Sequence, residues 1–287
     1  MAAIPDALEP RPVRSAGAAS RAAFNALLLR DLTVLRKNLG VFIARTLIQP
    51  FLLVFVFLYV FPQIGEGIGG TSAGGLSAFA SVLVAGVVGL SIMFQGIQAV
   101  ALPLANEFGY TKEIEDRVLA PLPVSLVATG KVVAGAIQGF ISAAVVFPIA
   151  AVVHTQGAAP SLSVHWVLLV TLIPLTAVMC SSLGLVLGTH ISPRNIGIMF
   201  GFIVLPLTFL GGTYYPWTTL GAIKVAGFPW LQALVCVNPL IYVTEGFRAA
   251  LTTAPHMPLY VIYPVLVAFC ALFFRLGFQG FTRRVIS

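Results

Sequence analysis

The chain has 287 residues, of which 59% are hydrophobic and only 9% are charged, and its mean hydropathy is +1.00. A soluble domain carries about a quarter charged residues, so this composition excludes an ordinary water-exposed surface. The net charge of +7 does not indicate nucleic-acid binding, because the basic residues concentrate near the two ends of the chain, as the positive-inside rule describes. Charge-free stretches reach the length of about 20 residues that a spanning helix needs. Runs such as 51–61 lack the alternating polarity of a barrel strand, so the sequence predicts an all-α membrane protein.

The N-terminal region divides into two parts. Residues 1–19 are rich in Ala, Pro and Arg and are predicted to be a disordered tail. Residues 20–39 then place apolar side chains on one side of a helix: Phe24, Leu28, Leu32, Leu35 and Leu39. This pattern predicts an amphipathic helix on the cytoplasmic membrane surface. A plain solvated helix is the alternative, because Asp31 lies near the apolar stripe.

Six transmembrane helices are predicted, at about 43–63, 76–100, 131–153, 164–188, 196–214 and 258–276. With six spans, 14 of the 16 Lys and Arg residues lie inside, and both termini are cytoplasmic. A seventh span at 225–244 would move Arg283 and Arg284 outside. That stretch is broken by Gly227, Pro229 and Asn238-Pro239, so it is predicted to form an outer re-entrant or interfacial helical hairpin between the fifth and sixth spans.

The sequence contains no pattern typical of an enzyme active site. It has no HExxH motif, its three cysteines lack metal-ligand spacing, and the one Gly-Lys pair, at 130–131, lacks the rest of a phosphate-binding loop. No catalytic residue, metal or cofactor is therefore predicted on this chain, and any transport energy must come from a partner. The alternative from another class, a membrane-embedded lipid-modifying enzyme, would require clustered His, Asp or Glu at one membrane face, and the sequence lacks such a cluster.

The segment 107–126 is the most highly charged interior part of the chain, and the topology places it in the cytoplasm. Its acidic residues and apolar residues predict a helix that docks into a soluble partner, and Pro121 and Pro123 end that helix. A solvated loop helix without a partner is the alternative. The predicted coupling residues are Glu107, Phe108, Tyr110, Lys112, Glu113, Glu115, Asp116 and Arg117.

Several motifs in order give the chain a resemblance to a known family. The turn LAPLPVS at 119–125 follows the acidic segment, GGTYYP occupies 211–216, and NPLIY at 238–242 precedes Glu245 and Arg248. Over residues 20–284 the chain resembles the permease subunit of ABC type-2 transporters, a group that includes drug, nodulation-factor and polysaccharide exporters. The extra proline in the 119–125 turn departs from the family's pattern.

The resemblance implies a mechanism as well as a fold. It implies a homodimer or heterodimer of permeases in the plasma membrane, docked to ATP-binding subunits that hold ATP and magnesium. The cargo would be a hydrophobic or amphipathic compound moved outward, or alternatively a polysaccharide or glycolipid. It also implies an outer gate, for which the candidate residues are Tyr214, Tyr215, Asn238, Tyr242, Glu245 and Arg248.

Two of these gate residues can interact directly. Glu245 and Arg248 are three positions apart, which allows an ion pair on one helix face. An exposed pair of this kind would contribute at most about 1 kcal/mol. Tyr214 and Tyr215 have the alternative role of interfacial anchors.

Overall fold

The computed structural model describes residues 16–66, 72–111, 123–155 and 159–286, and these residues are helical apart from turns and one isolated bridge between Val225 and Phe228. In chain order the helices are α1 (Ala16–Lys37), α2 (Leu39–Gln63), α3 (Ala73–Asn106), α4 (Val124–Val152), α5 (Trp166–His190), α6 (Pro193–Phe209), α7 (Trp230–Val237), α8 (Pro239–Leu251) and α9 (Leu259–Ile286). The predicted all-α class is therefore confirmed for the described part of the chain.

Five of these helices, α2, α3, α4, α5 and α9, are long and apolar enough to cross a membrane. Helices α7 and α8 meet at 98° and make a sixth candidate only if the bent pair is counted as one span. Helix α6 is apolar but shorter. The described chain therefore has the helices of a multi-pass membrane protein.

Several predicted boundaries are corrected by the structure. Helix α1 begins at Ala16, so residues 16–19 are helical and not part of the predicted tail, while 1–15 lie outside the described residues. The second predicted span stopped at 100, but α3 continues to Asn106 and then into a π-helical turn, Glu107–Thr111. The charge at Glu107 does not mark a loop because a lysine on α4 neutralises it.

Three other helix ends differ from the predicted boundaries, and the local sequence explains each difference. Helix α4 begins directly after Pro123, seven residues before the predicted start at 131, because Pro123 itself occupies the N-cap position. The fifth predicted span was to reach 214, but α6 ends at Phe209 because Gly211 and Gly212 follow and Gly212 adopts φ +66. Helix α9 continues past the predicted end at 276 to Ile286, which places Arg283 and Arg284 in its last turn, where the helix dipole favours cations.

Helix α3 lies at the centre of the protein. In its most apolar stretch 78% of residues are buried, against 11% for α9. Helix α5 approaches it closely at Gly184 and Gly188, where a Cβ atom would lie only 2.8 Å from the Ile97 carbonyl oxygen and 3.1 Å from the Ala101 Cα. This small-residue spacing is typical of membrane helix pairs, in which close backbone contact replaces the hydrophobic effect as the source of stability.

Helix α1 is joined to α2 by a single residue, Asn38. Phe24 and Leu27 of α1 pack against the buried residues Val127 and Ala128 of α4. The apolar side of α1 is therefore covered at least in part by the protein itself.

Candidate functional site

The segment that was predicted to form a hairpin consists of α7 and α8, which are separated by Asn238. Its side-chain oxygen accepts a hydrogen bond from the Leu240 amide at 2.9 Å, while its Nδ2 donates to the Leu207 carbonyl at 2.7 Å. Asn is a favoured N-cap residue, and Pro239 fits the first helical position because no amide hydrogen is needed there. The Asn-Pro pair therefore both starts α8 and attaches it to α6.

Glu245 and Arg248 form the predicted ion pair, and both side chains are fully buried. Glu245 Oε1 also accepts a hydrogen bond from the Trp217 amide at 2.7 Å, and Oε2 accepts one from the Met257 amide at 2.7 Å. Arg248 Nη2 donates to the Gly212 carbonyl at 2.8 Å. The pair thus connects α8 to the turn after α6 and to the segment before α9. Its burial rules out the alternative of an exposed ion pair.

The turn at 210–216 packs directly on α3. A Cβ atom on Gly86 would lie 2.2 Å from the carbonyl oxygen of Thr213, so only glycine fits there. Thr244 of α8 donates from its hydroxyl to the Gly211 carbonyl at 2.6 Å. The turn is consequently held between the central helix and the hairpin.

The three tyrosines of the predicted gate lie in the turn at 210–216 and on α8. Tyr214 packs beside Phe57 of α2, with 5.4 Å between ring centroids, and Tyr242 donates from its hydroxyl to the Cys236 carbonyl at 2.9 Å. Tyr215 donates to the Phe209 carbonyl at 2.7 Å.

The structure therefore brings all six predicted gate residues into one region. Sequence reasoning missed the partners that complete it, because Trp217 and Met257 contribute backbone amides, which any residue type but proline carries. Gly86 was also missed, since nothing in the sequence distinguishes it from the other 26 glycines.

At the opposite end of the bundle, Lys131 of α4 joins three helices. Its Nζ lies 2.5 Å from Glu107 Oε1, just after α3, and 4.0 Å from Asp31 Oδ2 of α1. Lys131 and Glu107 are both buried, with 6% exposure each. Sequence reasoning treated Lys131 only as a cytoplasmic charge and Asp31 only as a disturbance in the apolar stripe.

Phe108 extends this network to the last helix. Its ring lies 5.8 Å from that of Phe281 and beneath the guanidinium of Arg284 at 5.0 Å. Arg284 also donates to the carbonyls of Gly188 and Thr189 at the end of α5, at 3.1 and 3.2 Å. Phe108 is thereby fixed between α9 and the end of α3.

The other predicted coupling residues are only partly described. The backbone of Tyr110 belongs to the π-helical turn. Outside the described residues lie Lys112, Glu113, Glu115, Asp116 and Arg117. Within the described ranges, no three His, Cys, Asp or Glu side chains are grouped in a way that could hold a metal ion.

Comparison with known proteins gives consistent matches. Residues 22–252 match the family described as ABC-2 type transporter. The chain is similar to the "Inner membrane transport permease YadH" of Escherichia coli strain K12, with 28% identity over 239 residues that cover 80% of this chain and 84% of that protein. The YadH proteins of Escherichia coli O157:H7 and Shigella flexneri match with the same identity and coverage. The matched region includes α7 and α8 and the three charged residues Asp31, Glu107 and Lys131.

Proposed function

Since this chain belongs to the ABC-2 type transporter family, we propose that it is the permease subunit of an ATP-driven exporter in the inner membrane. The proposed cargo is a hydrophobic or amphipathic compound such as a drug or lipid. The proposed partners are an ATP-binding subunit, which holds ATP and magnesium, and a second permease copy, either identical or homologous. The observation that carries this proposal is the family match across 22–252, together with a sequence that has no phosphate-binding loop of its own.

The proposed topology has six crossings, with α6 as the fifth and with both termini in the cytoplasm. At 1.5 Å per residue, the 17 residues of α6 extend about 25 Å, somewhat less than the hydrocarbon layer. The turn at 210–216 extends this crossing to the outer surface. The 98° bend between α7 and α8 supports a hairpin that enters from outside and returns to the same side. Helix α1 would lie along the inner surface.

Reporter fusions test this topology. We expect reporters placed after Ser287 and within 66–72 to lie on opposite sides of the membrane, because 14 of the 16 basic residues are then cytoplasmic. An alkaline phosphatase fusion should be active only at 66–72, and a fluorescent protein that matures in the cytoplasm only at the C-terminus. If both positions report the same side, the proposed topology is wrong: either α7 and α8 together form a complete crossing, or α6 does not cross the membrane.

Coupling to the ATP-binding subunit is proposed for the segment 107–117. Glu107 and Phe108 would be its fixed base, since one pairs with Lys131 and the other packs on Phe281. Movement of this base would reach α4 and α9 through direct contacts, and α1 through Lys131. The charges at 112–117 would supply the surface that the partner contacts.

The outer hairpin is proposed as the closed gate. Its buried ion pair holds the turn at 210–216 against α3, which is the arrangement expected of an exit that stays shut until the bundle moves. Tyr214 and Phe57 would contribute aromatic surface to the exit path.

A coupling variant tests the proposed function. We expect the triple change of Glu113, Glu115 and Asp116 to Ala to leave membrane levels normal, because no spanning helix is altered, but to reduce co-purification of the ATP-binding subunit and ATP-dependent transport about tenfold or more. The measurement uses proteoliposomes that contain both subunits. Glu66→Ala, which removes an exposed carboxylate at the opposite end of α2, is the matched control.

Two results would contradict the proposal in different ways. Full partner binding and transport by the triple variant would move the coupling site away from 107–117. ATP hydrolysis by the purified chain alone would contradict its role as a permease without ATPase activity.

A further inference from the structure

A polar groove lies between α2, α3 and α4, and its lining includes no residue of the hairpin, of the turn at 210–216 or of the Lys131–Glu107 pair. Its cavity measures about 460 Å³, and the polar side chains that line it are Asn38, Arg45, Gln95, Gln98, Asn106 and Gln138. The lining includes no carboxylate, so its net charge is that of one arginine. Apolar residues complete the walls, among them Val41, Phe42 and Leu102.

The amides of this groove are ordered by hydrogen bonds across the three helices. Gln95 donates from Nε2 to Gln138 Oε1 at 3.3 Å and accepts from the Thr46 hydroxyl at 3.2 Å. Arg45 donates to the Gln98 side-chain oxygen. These contacts connect the three helices and hold the polar side chains along one face of the groove.

Arg45 lies well inside the span of α2. It follows Leu39 by six residues, which corresponds to about 9 Å along the helix axis. Its side chain is exposed, and within the described ranges it forms no ion pair. A guanidinium carries five N–H donors and needs an anionic or strongly polar partner at membrane depth.

We infer that this groove binds the phosphate-bearing headgroup of an amphiphile, with Arg45 as the cationic contact. Guanidinium and amide N–H groups match phosphate oxygens in charge and geometry. The apolar wall at Val41 and Phe42 leads to the exposed apolar surface of α2 at Ile48, along which an acyl chain can lie. The assignment of the groove to the inner leaflet rests on the proposed topology, whereas binding itself does not depend on the export function.

Lipid binding by the purified chain without any ATP-binding subunit is the first test. Fluorescent phosphatidylglycerol and phosphatidylcholine are titrated onto the detergent-solubilised protein, and the ratio of their dissociation constants gives the preference for the anionic lipid. We expect Arg45→Gln to reduce that preference about fivefold, the factor equivalent to the roughly 1 kcal/mol that one cation contributes near an anionic membrane surface. Arg45→Lys keeps the charge and should retain most of the preference.

The lipid-binding test has one control variant and two outcomes that would overturn the inference. Arg275→Gln removes an exposed arginine from another spanning helix, α9, and should leave the preference unchanged. An unchanged preference in Arg45→Gln, with a normal elution profile, overturns the inference. A change in oligomeric state on size exclusion without a change in lipid preference also overturns it, because the groove would then contact a second copy of the chain.

A second experiment distinguishes a transported lipid from a resident bilayer lipid as the source of the headgroup. Vesicles that contain the chain and its ATP-binding subunit are given fluorescent phosphatidylglycerol, and its ATP-dependent movement between leaflets is measured. Movement that Arg45→Gln abolishes supports a transported lipid, while binding without movement supports a resident bilayer lipid in the same site. Failure of the export function would remove movement from the wild type as well, and would leave the binding result intact.

Discussion

Replacing Glu245 with Ala is expected to lower the free energy of unfolding by about 3–5 kcal/mol, because it leaves the buried Arg248 charge without its partner. The change also removes the acceptor of the part-buried Trp217 amide and of the buried Met257 amide, so two backbone amides lose their hydrogen bonds. Unfolding can be followed in detergent with a thiol-reactive dye in a background that replaces the partly exposed Cys236 and Cys270 with Ala, since the buried free thiol of Cys180 then reacts only when the bundle opens. The unfolding midpoint should fall sharply, and the amount of protein in the membrane should fall with it.

Companion variants show whether the charge is the cause. Glu245→Gln keeps an acceptor but leaves the Arg248 charge unbalanced, so it should be nearly as damaging. The double change of Glu245 to Leu and Arg248 to Met removes both charges and should cost less than the two single changes combined. Glu66→Ala, at an exposed carboxylate, should change stability by less than about 0.5 kcal/mol. A loss below about 1 kcal/mol in Glu245→Ala would mean that apolar packing, and not the ion pair, holds the hairpin.

Gly86→Ala is expected to destabilise the protein more than any other glycine-to-alanine change in α3. The new Cβ would lie 2.2 Å from the Thr213 carbonyl oxygen and 2.8 Å from two further backbone atoms, so the whole turn at 210–216 must move. Overpacking of this kind costs about 1–3 kcal/mol, and a rigid backbone neighbour places this site at the upper end. Hydrogen–deuterium exchange should show faster exchange at the Trp217 amide, which the displaced turn can no longer hold against Glu245.

Gly139→Ala on α4 is the matched control. There the nearest atom to a new Cβ, on Ile92, lies at 3.5 Å, which is ordinary van der Waals contact. Alanine favours the helix over glycine by about 1 kcal/mol, so this variant should be neutral or slightly stabilising. Equal behaviour of the two variants would show that the turn at 210–216 adapts easily and does not depend on its contact with α3.

The helical class and the break at Asn238-Pro239 could be predicted because they depend on residue type. Long charge-free stretches require helices in lipid, and Asn followed by Pro is a local signal for a helix start. The spacing of Glu245 and Arg248 likewise predicts that they can pair. What the spacing could not predict is their complete burial, since that depends on distant backbone amides at Trp217 and Met257.

The end of the bundle at Glu107 and Lys131 was harder to predict for a related reason. A charged residue in an apolar sequence is normally placed in a loop, and this reasoning ended the second span early and began the third too late. Glu107 and Lys131 instead neutralise each other inside the bundle, 24 positions apart in sequence. Two residues so far apart in the sequence leave no local sequence pattern. Only the structure therefore shows that their charges neutralise each other.

The two hydrogen bonds of Glu245 to distant amides also impose an order on the maturation of the protein. Residue 257 leaves the ribosome after α8 has been synthesised, so Glu245 lacks one of its donors while α9 is still being made. Until then the Glu245 carboxylate lacks one of its hydrogen-bond donors. Burying it in that state would cost free energy, because the charge would be neither hydrated nor fully hydrogen-bonded. A chain terminated before Met257 therefore lacks one of the two amide donors of Glu245, however well the helices before it are inserted. The final assembly of the region around Glu245 is in this way tied to synthesis of the segment that follows α8.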